Sequence, residues 1–300
     1  MELHQLQILR ELGALGSVTA VAAALRVTPS AVSQQLAALQ RGFRTPLTRR
    51  QGRSLTLTAA GEVLAAAGAE AIDAMAAARS ALDAFEHDVT GVVTLSGFHS
   101  AGQALFGPVL REMRAPAPSV QLTDEDVAQT EFPALTARYD LVLAHRMEHS
   151  APWPTQGMRS LTLVREPLDV AVALSHPLAK RRSLTPADVA GERWVTSRIG
   201  YSPDDVLTTV AAIANHPVQV QHRINDYGAV AAVVATGDAI GMLPRYTSRS
   251  VDDRDIVRLP LEGVNTLRSI DLLSRPENLR RSSVRAVVEA LQRVMARLSG

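Results

Sequence analysis

Apolar side chains recur at every third position over the first fifteen residues, as Leu3, Leu6, Leu9, Leu12 and Leu15. On a helix, a spacing of three drifts only slowly around one face, so the pattern predicts an amphipathic helix that buries its leucine side. Because glycine favours the end of a helix, we expect this helix to end at Gly13 to Gly16.

Two shorter helices are predicted next, and each is introduced by a residue that suits an N-cap. Ser17 precedes an alanine-rich stretch over 18–25, and Thr28 precedes Pro29 and an amphipathic stretch that ends near Gly42. Hydroxyl groups accept hydrogen bonds from free amides of the first turn, and proline suits the first helical position. The second of these helices turns small polar residues outward, namely Ser30, Ser33, Gln34 and Gln35.

A short helix, a tight turn and a capped helix with outward polar residues form the pattern of a helix-turn-helix. Outward Ser and Gln side chains suit the base edges of a DNA major groove, and the amides of the helix N-terminus favour a phosphate. Alternating residues over 47–57, with a turn at Gln51-Gly52, predict a β-wing whose arginines suit phosphates or the minor groove. A small helical domain with a merely polar surface is the alternative.

A long alanine-rich helix is predicted from Ala59 to Ala84, since thirteen of these 26 residues are alanine and none is proline. Its apolar seam advances in steps of three and four, which is the heptad of a two-stranded coiled coil. The alternative is a helix that packs on its own chain. The seam consists of Gly61, Leu64, Gly68, Ala71, Met75, Ala78, Leu82 and Phe85.

From Gly91 onward, predicted strands and helices alternate, which is typical of a parallel sheet with helices on its faces. We predict two α/β lobes linked by crossing strands, the first over about 91–160 and 267–300, the second over about 161–266. Predicted strands lie at 92–96, 120–123, 139–144, 161–164, 169–174, 194–195, 218–222, 239–242, 256–261 and 267–273. Predicted helices lie at 102–114, 129–138, 203–214, 226–236 and 282–298.

A ligand of such a body is expected beyond the carboxyl ends of the strands. Ser100 precedes a predicted helix, so its hydroxyl and the helix amides suit an anion. Arg146 and Arg198 suit a carboxylate, whereas the acidic residues 124–126 favour a cationic ligand instead. Each of these positions is also compatible with an ordinary surface loop.

The net charge of +1 conceals an uneven distribution. Residues 1–61 hold seven arginines and two glutamates, a net charge of +5, whereas the rest of the chain carries −4. A small basic end attached to a mildly acidic body favours a nucleic acid as the partner of that end. The absence of cysteine excludes disulfides, thiolate metal sites and a cysteine nucleophile, and suits a reducing compartment.

The sequence holds no apolar run of the roughly 18 residues that a membrane span needs, and its start does not resemble a signal peptide, so we expect a cytoplasmic protein. No Gly-x-Ser-x-Gly elbow, phosphate loop or His-Glu-x-x-His is present, so we expect no enzyme, no catalytic residues and no cofactor. His145 and His149 have helical metal-ligand spacing but no third ligand, so we expect no metal site.

The first sixty residues resemble the winged helix-turn-helix of LysR-type transcriptional regulators. The resemblance rests on Gly16-Ser17-Val18-Thr19, Val27 to Leu36, Pro46-Leu47, Arg50 and Leu57 to Gly61, and it extends more weakly over 91–300 through Asp140 to Leu143, His176 to Ala179 and Gly237 to Pro244. It implies a DNA-binding domain over 1–58, a dimerisation helix over 59–88 and a two-lobed, periplasmic-binding-protein-like effector domain over 89–300. Gln34, Arg41, Arg44 and Thr48 depart from the family's usual residues.

The resemblance also implies partners and site residues. The partners are promoter double-stranded DNA, a small-molecule effector and further copies of the chain in a homodimer or homotetramer, with no membrane. The DNA-binding residues are Thr28, Pro29, Ser30, Ser33, Gln34, Arg50 and Arg53. The effector-binding residues are Ser100, Thr130, Arg146, Ser197 and Arg198, and the dimerisation residues are Leu64, Ala71, Met75, Leu82 and Phe85. A small-molecule carrier with a helical oligomerisation head remains the alternative, and an enzyme is a weaker one.

Overall fold

The computed structural model describes residues 1–52, 54–85, 90–113, 117–155, 157–199, 201–248 and 253–300. Its first part, called the head here, holds helices α1 (Leu3–Leu15), α2 (Val18–Leu25) and α3 (Pro29–Gln40) and a hairpin of β1 (Thr48–Gln51) and β2 (Ser54–Leu57). The helices bury the apolar faces that the sequence predicts. Fully enclosed side chains include Leu9, Leu12, Val21, Val32 and Leu39.

Both predicted N-caps form in the head. The Ser17 hydroxyl accepts a hydrogen bond from the Ala20 amide at 3.0 Å, and the Thr28 hydroxyl accepts one from the Ala31 amide at 3.2 Å. Gly16 ends α1 with a φ of 69°, a left-handed conformation that glycine adopts without a steric penalty. The local signals in the sequence therefore decide where these helices begin and end.

Helix α4 (Ala59–Phe85) leaves the head, and its seam divides into two parts. At the start of the helix the seam packs on the head, where Leu64 is half-buried and Gly68 lies against Leu6. A Cβ at Gly61 would lie 2.0 Å from the Leu47 carbonyl oxygen, so only glycine allows this close approach. Farther along the helix the seam residues are exposed, namely Ala71, Met75, Ala78 and Leu82, and the side chain of Phe85 lies outside the described part.

The remaining chain forms a body of strands and helices. Its strands are β3 (Val92–Gly97), β4 (Ser119–Asp124), β5 (Leu141–Met147), β6 (Arg159–Ala173), β7 (Arg193–Thr196), β8 (Gln219–Arg223), β9 (Ile240–Pro244), β10 (Ile256–Leu259) and β11 (Leu267–Ser274). Its helices are α5 (His99–Glu112), α6 (Phe132–Leu135), α7 (Pro186–Val189), α8 (Ser202–Ala214), α9 (Tyr227–Ala235), α10 (Pro276–Arg280) and α11 (Ser282–Ser299).

The body strands follow the order β4-β3-β5-β11-β6-β9-β7-β8, and β10 pairs with β6. Pairing within β4-β3-β5 and within β9-β7-β8 is parallel, whereas β6 and β11 run antiparallel to each other and to their neighbours. The two parallel groups form two lobes with separate cores, lobe 1 around β3, β5 and α11 and lobe 2 around β7 and β9. Strand β6 therefore crosses between the lobes, as predicted, whereas β11 begins at the crossing and packs in lobe 1.

Four predicted elements differ from the structure. The strands expected at 161–164 and 169–174 are one continuous strand, β6, and Pro167 lies where its partner changes from β11 to β9. The helix expected at 102–114 already begins at His99, so Ser100 lies inside its first turn rather than before it. The helix expected at 129–138 is a 3-10 turn followed by the single turn α6. The division between the lobes near residue 161 stays a prediction.

The predicted C-terminal helix packs its apolar face on lobe 1, with Val284, Val287 and Leu291 fully enclosed. Its end near Ser299 agrees with the sequence pattern. Among the described residues, no helix has the length and apolarity that crossing a bilayer requires.

Candidate functional site

Helix α3 presents a polar outer face on the head. Thr28, Pro29, Ser30, Ser33 and Gln34 are all exposed, whereas the opposite face is buried in the core of the head. The Thr28 hydroxyl is committed to the Ala31 amide, and the Ser33 hydroxyl donates to the Pro29 carbonyl at 3.0 Å. Gln34 and Ser30 therefore present the freest polar groups of this face among the described residues.

Gln35 differs from its neighbours on α3. It is half-buried, and its side-chain oxygen accepts hydrogen bonds from Gln5 at 3.2 Å and from the His4 ring at 2.8 Å. The amide therefore ties α3 to α1 and holds the outer face in place, a role that the sequence pattern did not indicate.

The wing is the hairpin of β1 and β2, in which Arg50 pairs with Leu55, and its second strand packs on α1 and α4. Arg50 and its neighbour Arg49 are exposed, so both guanidinium groups are available to an anionic partner. The predicted wing-tip residue Arg53 lies outside the described residues. Together with Arg26, Arg41 and Arg44, which are also exposed, the wing gives the head a basic surface.

In the body, Ser100 lies at the floor of the cleft between the lobes and contacts a buried ion pair. Arg268 on β11 donates to Glu166 on β6 from Nε at 3.0 Å and from Nη2 at 2.8 Å. The same Nη2 lies 3.3 Å from the Ser100 hydroxyl and 2.8 Å from the Thr247 hydroxyl. Glu166 is satisfied further by the amides of Tyr246 and Thr247, each at 2.6 Å.

Arg268 also contacts aromatic rings from both lobes. Its guanidinium carbon lies 5.3 Å from the ring centre of Phe98 in lobe 1 and 5.8 Å from that of Tyr227 in lobe 2. Burial opposes the charge of Arg268, but Glu166 and Tyr227 together outweigh this effect and raise the pKa of the guanidinium. The cation therefore joins the two lobes at the floor of the cleft.

His145 on β5 lies beside this floor. Its ring meets Phe98 and Phe132 edge to face, at 4.7 and 5.3 Å between ring centres. Burial and the nearby Arg268 lower the pKa of His145 to about 3, so the imidazole is neutral at physiological pH. His145 lies on a strand rather than on a helix with His149, and among the described residues no three His, Asp or Glu side chains form a metal-binding group.

The mouth of the cleft carries further contacts between the lobes. Arg198 of lobe 2 donates to the Asp126 carboxylate of lobe 1 at 3.0 Å, and Asn225 donates to the same carboxylate at 3.1 Å. His99, the first residue of α5, lies 2.6 Å from Asp226 of lobe 2 and 3.2 Å from Asp124. Burial opposes protonation of His99, but the two carboxylates raise its pKa, so they favour the imidazolium.

The other predicted effector residues lie at different depths. The Ser197 hydroxyl, after β7, is buried and has no hydrogen-bond partner among the described residues. Thr130 is exposed in the 3-10 turn. Arg146 points away from this floor, because its neighbour His145 faces Phe98 and side chains alternate along a strand. Its Nε lies 3.4 Å from Asp271 instead.

Sequence reasoning missed the floor residues Glu166, Thr247 and Arg268. A buried charge on a predicted strand was a usable signal, because a strand of otherwise apolar residues carries a charge only when it is paired. Their partnership, however, joins positions 102 residues apart, which no local pattern reveals.

The head with its polar helix face and basic wing, joined by a long helix to a two-lobed body, defines a DNA-binding protein with a ligand-binding domain. Residues 3–62 match the family of bacterial regulatory helix-turn-helix proteins of the lysR type, and residues 86–296 match the LysR substrate binding domain. The chain therefore belongs to the LysR family of DNA-binding transcriptional regulators, whose members bind DNA and small-molecule effectors and form oligomers. This confirms the resemblance seen in the sequence.

Relatives of similar length carry regulator names. The chain is 26% identical over 274 residues to the uncharacterized HTH-type transcriptional regulator YybE of Bacillus subtilis, with 91% of each chain covered. It is 24% identical to the transcriptional dual regulator GltC of the same organism, with 93% of this chain and 92% of GltC covered.

Solved structures show the same fold. Full-length OxyR from Pseudomonas aeruginosa superposes with a TM-score of 0.66 at 15% identity, over 97% of this chain and 94% of OxyR. CbnR in complex with its target DNA superposes with a TM-score of 0.54 at 19% identity, over 98% of this chain and 100% of CbnR. At these identities the likeness concerns the fold.

Proposed function

We propose that the head reads a promoter sequence through Ser30, Ser33 and Gln34. The observation that supports this most directly is the exposed polar face of α3, whose Gln34 amide has no partner among the described residues. A glutamine amide is able to donate to and accept from adenine in the major groove. Thr28 and Pro29 position the start of the helix for a phosphate, and Arg50 and Arg53 neutralise phosphates from the wing.

The effector site is proposed between the lobes, above the floor formed by Arg268 and Glu166. Ser100 and Ser197 supply hydroxyls from opposite lobes, and the buried Ser197 hydroxyl without a described partner is what a ligand would satisfy. Arg198 and Thr130 line the mouth, whereas Arg146, bound to Asp271, is the weakest member of the predicted set.

Regulation follows from the contacts that cross the cleft. A ligand that binds one lobe arrangement more tightly shifts the population toward it, and only this difference in affinity drives the change. The shift would alter the angle or spacing of the two heads of a dimer, which must match two half-sites about one helical turn or a multiple apart. The chain would act in the cytoplasm, where its DNA lies, and would carry out no catalysis.

Footprinting on the DNA beside the protein's own gene tests this proposal, followed by a screen of metabolites for a changed footprint. We expect protection of two half-sites at low salt and an altered pattern with the effector. Absence of any DNA binding at low salt would contradict the reading role. A footprint that no metabolite changes, in a chain whose Ser197→Ala variant behaves identically, would count against the effector site.

A further inference from the structure

The head contacts the body at a second place besides α4. Arg10 and Glu11 of α1 meet Arg275 and Glu277 of lobe 1, which lie where β11 ends and α10 begins. These four residues are called the head–lobe ion cluster here. The cluster joins positions more than 260 residues apart and is separate from the face of α3 and from the cleft.

The cluster is a chain of four alternating charges. Glu277 accepts from Arg10 at 2.8 Å, Arg10 donates to one oxygen of Glu11 at 2.9 and 3.1 Å, and the other oxygen of Glu11 accepts from Arg275 at 2.7 Å. The side chains of Arg10, Glu11 and Arg275 are at most 9% exposed, and that of Glu277 is 14% exposed. In this arrangement all four groups are paired, and because each buried charge needs its partner, a shift of the head on lobe 1 would leave buried charges unpaired.

Arg275 is the weakest member of the cluster. Its guanidinium has one carboxylate partner, Glu11, and a second bond of 3.2 Å to the Gly157 carbonyl. Its buried Nε has no hydrogen-bond partner among the described residues. Burial lowers the pKa of Arg275, and Glu11 offsets this only in part, whereas Arg10 between two carboxylates has a raised pKa despite burial. The contact between Arg275 and Glu11 is therefore the one in the head–lobe ion cluster that breaks most easily.

The same strand leads from this contact to the floor of the cleft. Arg268 near the start of β11 contacts both lobes, and Arg275 follows the end of the strand seven residues later, about 23 Å along an extended chain. Beyond Arg275, α10 is fastened to the linker helix, because Arg280 donates to Asp73 at 2.9 and 3.1 Å. A movement of β11 at the cleft is therefore transmitted to the head–lobe ion cluster.

We propose that the head–lobe ion cluster is the joint that sets the orientation of the DNA-reading head on lobe 1, and that the Arg275–Glu11 contact is the bond that opens when the lobes move. The orienting role stands on the geometry of the cluster alone. Its use in regulation rests on the proposed function, in which an effector acts between the lobes.

Charge reversal tests the joint without effector or DNA. The chain has no cysteine, so Gln7→Cys in the head and Arg111→Cys in lobe 1, both exposed positions, accept one spin label each. Labelled chain is diluted with unlabelled chain so that only distances within one chain are measured. We expect one narrow distance distribution, which broadens or shifts with Arg275→Glu and stays narrow with Arg275→Lys, which keeps a cation opposite Glu11.

An unchanged distribution in Arg275→Glu overturns the proposal, and so does an Arg275→Lys variant whose distribution changes as much as that of Arg275→Glu. Lys180→Glu, an exposed charge reversal in lobe 2, is the matched control and leaves the distribution as it is. If Arg275→Glu does not fold by circular dichroism, the milder Glu11→Gln variant takes its place, with the same broadening expected.

Footprinting separates the joint from the reading role. We expect Arg275→Glu to alter the spacing of the protected half-sites while the preferred bases within each half-site stay the same, because α3 is untouched. A changed distance distribution with an unchanged footprint would overturn the regulatory use of the joint. If the chain without any substitution binds no DNA, the proposed function is refuted instead.

Discussion

Arg268 on β11 and Glu166 on β6 face each other where the chain crosses between the lobes, joined at 2.8 and 3.0 Å, with neither side chain more than 1% exposed. In an apolar interior, such a pair is favourable only while both members and their surrounding hydrogen bonds are present. The ion pair at the floor of the cleft therefore carries no net charge, but the loss of either Arg268 or Glu166 would leave the other as an unpaired buried charge.

Replacing one member of this pair is expected to destabilise the protein far more than replacing both. Glu166→Gln leaves a buried cation without its carboxylate and should lower the free energy of unfolding by about 3–5 kcal/mol. The double variant Glu166→Gln plus Arg268→Met removes both charges but keeps an oxygen for the Tyr246 and Thr247 amides, so it should recover most of that loss. Urea unfolding of the three proteins measures this, and equal losses for the single and double variants would contradict it.

The stability of lobe 1 should fall as the solution becomes acidic. The folded-state pKa of His145 is about 3, below its ordinary value of 6.5, so the unfolded chain binds a proton that the folded chain rejects between these values. Stability is therefore lost as pH falls, by roughly 2 kcal/mol between about pH 7 and about pH 5. Urea midpoints across this range test the prediction. His145→Leu should flatten the dependence, whereas His222→Leu, at an exposed position, should not.

Two head residues should affect DNA binding in different ways. Gln34→Ala should change which bases are preferred, because it removes the amide that we propose contacts base edges, at a cost of about 1–3 kcal/mol for the best site. Arg50→Ala should weaken binding to all sequences alike and reduce the slope of log affinity against log salt by about 1. Selection from random duplexes and salt titrations measure these effects. Gln7→Ala and Arg182→Ala, both at exposed positions, are the matched controls.

The exposed part of the α4 seam should hold two chains together. Met75 and Leu82 are 47% and 57% exposed within one chain, so a partner helix is expected to cover them. Met75→Glu plus Leu82→Glu should shift the protein toward monomer in sedimentation experiments at micromolar concentration. Val63→Glu changes a residue that is 72% exposed and lies off the seam, so it should leave the assembly unchanged. An unchanged mass for the double variant would contradict the predicted dimerisation face.

Much of the head was predictable because its signals are local. The leucines of α1 and the caps at Ser17 and Thr28 each depend on residues within one or two helical turns. The alternation of strands and helices likewise predicted the two-lobed class of the body. The errors lie where an element continues through a tertiary contact, as in β6, which exchanges one partner strand for another at Pro167.

Charge counting in the sequence shows the same limit. Arg10 was counted with the basic residues of the head, but it is enclosed between Glu11 and Glu277 and adds nothing to the surface that meets DNA. Glu11 is enclosed with Arg10. Because their charges cancel, removing both from the count leaves the net charge of the exposed surface of the head unchanged.

The sequence by itself determined the helix-turn-helix, its caps and the two-lobed fold class, because periodicity, capping and turn chemistry act over a few residues. The family followed from the resemblance of its motifs. Only the tertiary structure decided the partners of the buried charges. Arg268 pairs with Glu166 at the cleft floor, and Arg146 pairs with Asp271 rather than facing the cleft. Arg10 and Glu11 of the head pair with Glu277 and Arg275 of lobe 1. The physical reason is that a buried charge requires a partner, but the position of that partner depends on how distant segments pack.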